Sequence, residues 1–175
     1  MTPPNVLDRL IVFEGLDGSG TTTQIGLAEA YLLHRYPMWK FSTSAEPQLG
    51  DPVVPLRKYL RNPPKFASAM DLSRFFTLLF CADREHHLGV LQCWNYLGGF
   101  TLCDRFTLST LAYQAHQEDA EHRNWVENMV RSFPLPGLTL YLRVDPAQAI
   151  KRVKARAKRD GQPLEVYETL EKLRK

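Results

Sequence analysis

Gly15, Gly18 and Gly20, followed directly by Thr21, Thr22 and Thr23, are the densest group of anion-binding positions in the chain. Glycine lets a backbone turn sharply and approach a ligand closely. Successive main-chain N–H groups at the start of a helix then attract phosphate. Gly15 and Gly20 have the spacing of the phosphate-loop pattern G-x-x-x-x-G-K-[ST], with Ser19 inside the loop and Thr22 at the hydroxyl position that ligates magnesium. Thr21 stands where the pattern has lysine. The chemistry so marked is the binding of a nucleotide polyphosphate; the alternative is a plain strand-to-helix turn.

A phosphate loop has to be held between a strand and a helix, and the flanking residues fit. Leu10–Phe13 is a run of four apolar residues, as a buried strand requires. The segment from Thr22 to His34 carries Ile25, Leu27, Ala28, Ala30, Tyr31 and Leu32 at helical period. Further strands are expected at Trp39–Thr43, Phe100–Cys103 and Leu138–Val144. Helices are expected over Pro52–Asn62, over Met70–Leu91 with Asp71 as its cap, from Pro146 onward, and over Leu164–Lys175. Strands alternating with helices imply one α/β unit spanning residues 1–175 with a parallel sheet of about four strands.

Two more groupings follow from those elements. Asp104 and Arg105 lie at the carboxyl end of the third strand, where open α/β sheets bind ligands, and so face the same crevice as the loop. Phe76, Phe80 and Arg84 recur every four residues and share a helix face, as do Arg152 and Arg156. The adjacent His86 and His87 point about 100° apart on a helix. His116, Glu118, Asp119 and His122 match no recurrent zinc spacing and are expected on a solvated helix.

Composition narrows the class. The 175 residues are 44% hydrophobic and 23% charged, as in an ordinary globular domain. Cys81, Cys93 and Cys103 are odd in number and lack C-x-x-C spacing, which argues against a disulfide framework and for a reducing compartment. No signal-peptide core or membrane-length apolar run is present, so a cytoplasmic location without membrane or nucleic-acid partners is expected. Residues 151–175 hold nine Lys/Arg against four Asp/Glu, a net +5 that leaves −2 for residues 1–150 out of the total +3. By charge alone that basic end suits nucleic acid, a membrane surface or a polyphosphate, or is simply a solvated helix face, and only its position in the fold separates these.

Phe13–Gln24, FEGLDGSGTTTQ, resembles the loop of the thymidylate kinases, usually FEGxDGxGKTTQ. Ala45-Glu46-Pro47 is similar to that family's R-E-P block without its arginine, LLFCADR to its base-binding helix, and CDRFTLSTLAYQ to its CDRYxxSxxAYQ, with Phe106 in place of tyrosine. The resemblance implies a three-layer P-loop NTPase fold with a basic lid near the C-terminus, and transfer of the ATP γ-phosphoryl group to dTMP. It implies ATP contacts at Gly15, Gly18, Ser19, Gly20, Thr21, Thr22, Thr23 and Arg159. It implies dTMP contacts at Glu46, Phe80, Arg84, Asp104, Arg105, Ser109, Tyr113 and Gln114, with Phe80 stacking on the base and Arg84 at its edge. Asp17, Arg105, Arg152 and Arg156 carry the catalysis by the same resemblance, Thr22 and Asp104 hold Mg²⁺, and the subunits form a homodimer.

Thr21, Ala45 and a C-terminus short of the family's last strand and helix are the departures. They keep two rivals open: a nucleotide-binding relative without turnover, and a kinase for another nucleoside monophosphate.

Overall fold

The computed structural model describes residues 5–48, 56–115, 119–161 and 163–169. Its elements in chain order are β1 (Val6–Gly15), α1 (Thr21–Arg35), β2 (Phe41–Ala45), α2 (Leu56–Arg61), α3 (Ala69–Tyr96), β3 (Phe100–Asp104), α4 (Thr107–Gln114), α5 (Ala120–Arg131), β4 (Leu135–Leu142) and α6 (Pro146–Asp160). The four strands form one parallel sheet in the order β2-β3-β1-β4.

Alternate residues of β1 serve opposite faces of that sheet, following the period of two of a strand. Val12 packs with Cys103, Phe106 and Leu91 of α3 on one side. Phe13 packs with Leu102 and Ile25 of α1 on the other. The result is a helix–sheet–helix sandwich, the expected α/β class. β1 and β3, the inner strands, carry the residues that reach the site.

The expected elements shift in their bounds. β1 begins at Val6 and β4 at Leu135, both earlier than the apolar runs indicate, because Pro136 and Gly137 lie inside β4 and not before it. A Cβ on Gly137 would lie 2.3 Å from the Asp8 carbonyl oxygen, so only glycine permits that approach. Pro136 is tolerated because β4 is an edge strand. Trp39 is not in β2; it stacks between Tyr36 and Phe100 at ring distances of 4.9 and 5.2 Å.

Two expectations are corrected outright. The cap of α3 is Ser68, not Asp71: the Ser68 hydroxyl accepts from the Asp71 N–H at 3.1 Å and donates to the Asp71 carboxylate at 2.8 Å. Residues 163–169 form turns instead of the start of a helix over Leu164–Lys175, since Tyr167 and Glu168 are drawn inward by side-chain bonds described below. Residues 170–175, like residues 52–55 of the expected second helix and His116 and Glu118, lie outside the described residues. Among the described residues no helix is long and apolar enough to cross a membrane.

Candidate functional site

Gly18 and Gly20 adopt positive φ, +84° and +100°, which carries the chain from β1 around into α1. A Cβ on Gly18 would lie 2.4 Å from the Ala149 carbonyl oxygen, because α6 packs Ala149, Ile150 and Val153 against the loop through Leu16. No side chain caps α1. The first N–H groups of a helix have no intrahelical partner, and Thr21, Thr22 and Thr23 line the cleft above the loop.

That cleft, open to solvent, is lined by the loop, the end of β3, α2 and α6. Arg152 donates to the Gly18 carbonyl at 3.2 Å. Arg156 is bonded to Glu168, and Arg159 to its neighbour Asp160 at 2.7 Å. All three expected lid arginines therefore line it, together with Arg57 and Arg61 from α2. Arg57 holds the Pro47 carbonyl at 3.2 Å, and its Nε is buried without a partner among the described residues.

Thr22 Oγ1 donates to Asp104 Oδ2, which joins the loop to β3. Asp104 Oδ1 is buried and has no partner among the described residues, and neither has Ser19 Oγ. Groups of three or more His, Cys, Asp or Glu side chains suited to a metal are absent among the described residues. Mg²⁺ does not require one, since it binds one or two protein oxygens and completes its shell with phosphate and water.

Beside the cleft, and sharing Asp17, Glu46, Pro47, Arg105 and Glu165 with it, lies a more apolar pocket. Phe80, half-buried, and Phe106 form its apolar side; Ser109, Thr110, Tyr113 and Tyr167 bring hydroxyls. Arg105 projects from the end of β3 with φ of +72°, uncommon for a residue with a side chain. Its Nη2 meets Asp17 at 2.9 Å and its Nη1 meets Ser109 Oγ at 3.0 Å. Burial alone would lower the Arg105 pKa, but Asp17, Glu14 and Asp104 outweigh it and hold the guanidinium charged. Tyr113 donates to the other Asp17 oxygen at 3.0 Å. Burial raises its pKa, with Arg105 acting in the opposite direction, so it stays protonated.

Glu14 was not singled out by its sequence position, although a carboxylate inside an apolar strand is a signal of its own. It is 3% exposed and accepts from the N–H of Phe106 at 2.9 Å and from the Ser109 hydroxyl at 2.6 Å, fixing the start of α4. Arg57, Thr110 and Tyr167 were also missed. Nothing in the composition of residues 56–61 or 163–169 distinguishes a ligand-facing side chain from a surface one.

Two expected contacts lie behind the pocket and not in its wall. Arg84 is 1% exposed, its Nε on Glu46 at 2.8 Å and its Nη2 on Phe106 O and Thr110 Oγ1 at 3.1 and 3.0 Å. Its Nη1 remains buried without a partner among the described residues. Gln114 is fully buried and joined to Tyr167 and Ser73. Glu46 is committed to Arg84 and to His87, 3.2 Å away. His122, expected on a solvated helix, is 5% exposed and bonded to Ser73 Oγ and Gln114 O at 2.9 Å, because α5 turns that face onto α3.

The chain is similar to known proteins of one family. The family described as thymidylate kinase matches residues 13–175. A putative thymidylate kinase of Treponema pallidum is 32% identical over 168 residues, covering 94% of this chain and 73% of that protein. A thymidylate kinase of Legionella pneumophila (strain Paris) is 33% identical over 158 residues, covering 87% and 71%. The crystal structure of thymidylate kinase from Ehrlichia chaffeensis superposes with a TM-score of 0.58 at 30% identity, covering 90% of this chain and 86% of that one.

Proposed function

The chain belongs to the thymidylate kinase family, and on that premise we propose how its two adjoining cavities divide the work. The enzyme transfers the γ-phosphoryl group of ATP to the phosphate of dTMP, giving ADP and dTDP. Such transfer asks little covalent chemistry of the protein. It requires two anions held in line and the developing charge neutralised.

The N–H groups of Thr21–Thr23 and the hydroxyl of Ser19 hold the donor phosphates, supported by the uncapped start of α1 and the unpartnered Ser19 Oγ. Phe80 stacks on the thymine, and Arg84, held behind the pocket by Glu46, Phe106 and Thr110, braces the wall on the side of the base edge. Asp17, Ser109 and Tyr113 surround the deoxyribose, and Glu46 and Gln114 brace that wall. Arg105, at the junction of the two cavities, binds the acceptor phosphate; Arg57 beside it supplies a cation where Ala45 does not. Arg152 and Arg156 stabilise charge on the transferring group, with Arg159 farther out on the donor side.

Thr22 and Asp104, with its buried unpartnered oxygen, form the protein side of a Mg²⁺ site. The ion, when bound, neutralises charge on the donor phosphates. A homodimer in the cytoplasm completes the reading, supported by the family resemblance and by three unpaired thiols.

The observation that carries this reading is the sharing of Asp17 and Arg105 by a polar, cation-lined cleft and an aromatic pocket. An adenosine–oligophosphate–thymidine bisubstrate compound tests it by calorimetry. One molecule per chain, displaced by either ATP or dTMP, is expected. Displacement by only one of them would overturn the two-cavity arrangement.

A further inference from the structure

Beyond Gly161, the chain returns as an irregular strap, residues 163–169, beside both cavities. Val166 N donates to Leu60 O at 2.9 Å. The Tyr167 hydroxyl meets the Gln114 amide at 3.0 and 3.2 Å. The Tyr167 ring packs on Phe76 and Tyr113 at 5.7 and 5.2 Å. The strap is thus tied to α2, α3 and α4, all of which border the acceptor pocket.

One further bond joins the strap to the lid helix. Arg156 donates to Glu168 Oε1, while Glu168 Oε2 accepts from Glu165 N at 2.7 Å. The two partners differ in freedom: the Glu168 side chain is 5% exposed and that of Arg156 is 51% exposed. An exposed ion pair ordinarily contributes little, because both long side chains must be ordered. Here the carboxylate is already fixed by a main-chain donor, so a charge-assisted bond to it restrains a guanidinium that is otherwise free to swing. The first half of α6 needs no such tie, being packed on the loop through Ala149, Ile150 and Val153.

We propose that Glu168 is a positioning residue for phosphoryl transfer, holding Arg156 over the donor cleft and linking the lid to the strap that walls the acceptor pocket. The proposal rests on the reading of Arg156 as a cation acting on the transferring group. In this role Glu168 acts through Arg156 and not directly on substrate. Its action through Arg156 has a consequence that a purely structural carboxylate lacks: its removal should cost nothing once Arg156 is gone.

Steady-state ADP release by the full chain tests this with Glu168→Gln, Arg156→Ala and the double variant, each with calorimetric dTMP affinity. Glu168→Gln is expected to lower kcat about tenfold with KM for dTMP changed less than about threefold. Arg156→Ala should lose at least as much, and the double variant no more than Arg156→Ala alone. If Glu168→Gln does not fold, Glu168→Asp in the same two backgrounds should show the same non-additivity with a smaller single loss. Full kcat in the folded Glu168 variant, or losses that add in the double variant, would overturn the proposal and leave the lid reading intact. Full kcat in Arg156→Ala would remove the lid reading, and the proposal with it.

Discussion

Asp17 of the phosphate loop and Arg105 at the end of β3 form an ion pair at 2.9 Å across 88 residues of sequence, and Tyr113 closes on the second Asp17 oxygen at 3.0 Å. The pair explains why Arg105 tolerates a left-handed backbone, which costs on the order of 1–3 kcal/mol and persists only where surrounding contacts enforce it. Its N–H bonds Phe13 O at 2.9 Å, and its side chain is clamped between two oxygens.

Arg105→Lys keeps the charge but not the two-pronged geometry. The expected outcome is a fall in kcat/KM for dTMP of about a hundredfold, with the fold retained. Steady-state kinetics alongside circular dichroism would read it; near-normal kcat/KM would show that the charge alone suffices.

Phe76 and Phe80 are one helical turn apart, with ring centroids 6.2 Å apart, yet have different tasks. Phe76 is 0% exposed within the cluster of Leu56 and Leu60, whereas Phe80 lines the pocket. Phe76→Ala should destabilise the fold by about 3–5 kcal/mol. Phe80→Ala should instead weaken dTMP binding about 10- to 100-fold, from stacking of roughly 1–3 kcal/mol per base. Denaturant titrations and calorimetry separate the two, and unchanged dTMP affinity in Phe80→Ala would make it a core residue.

Tyr167 titrates in a direction that can be read in stability. Burial pushes its pKa up to about 12, with the Gln114 hydrogen bond opposing, against about 10 in an unfolded chain. Between those values the folded state holds the proton more tightly. The contribution is therefore whole below pH 10 and is lost as pH rises toward 12. Tyr167→Phe should reduce the stability lost between pH 9 and pH 11 by up to about 1 kcal/mol. Tyr113 adds a loss of the same sign in both proteins. Urea unfolding at the two pH values checks this; identical losses would show that Tyr167 is ordinary.

Thr21 is 7% exposed at the position where phosphate loops carry lysine, and Arg152 already reaches the Gly18 carbonyl at 3.2 Å. Thr21→Lys is therefore expected to change kcat less than about tenfold, since the added charge enters a site lined by cations. Replacing Arg152 and Arg156 together by Ala should lower kcat at least about a hundredfold with little change in dTMP affinity. A hundredfold gain from Thr21→Lys would contradict the assignment of that role to the lid.

What was legible in sequence was local or strictly spaced. Gly18 and Gly20 declare the loop because few residue types tolerate that backbone, and Gly15 and Thr22 do so by their fixed spacing from them. Asp104 and Arg105 follow from their place after an apolar run. Phe80 was separable from Phe76 only by the family pattern, since both lie on one helix face. The burial of Arg84 and Gln114 was not legible, and His122 was misplaced, for one physical reason: polar side chains buried in pairs look the same in sequence as exposed ones. Tyr167 and Glu168 were hidden because apolar spacing after Pro163 imitates a helix that long-range bonds to Gln114 and Arg156 override. Arg57, which bonds the Pro47 carbonyl and lines the cleft, gave no local sign of its orientation.

Everything in this site serves one reaction, the phosphorylation of dTMP. A coupled ADP-release assay with Mg-ATP measures it directly, using dTMP, dUMP, dCMP, dAMP and dGMP as separate acceptors and chromatographic identification of the nucleoside diphosphate. The expected result is ADP release that depends on dTMP, yields dTDP one for one, and exceeds that with the other acceptors. Tight dTMP binding without ADP release, or faster turnover of another monophosphate, would contradict it.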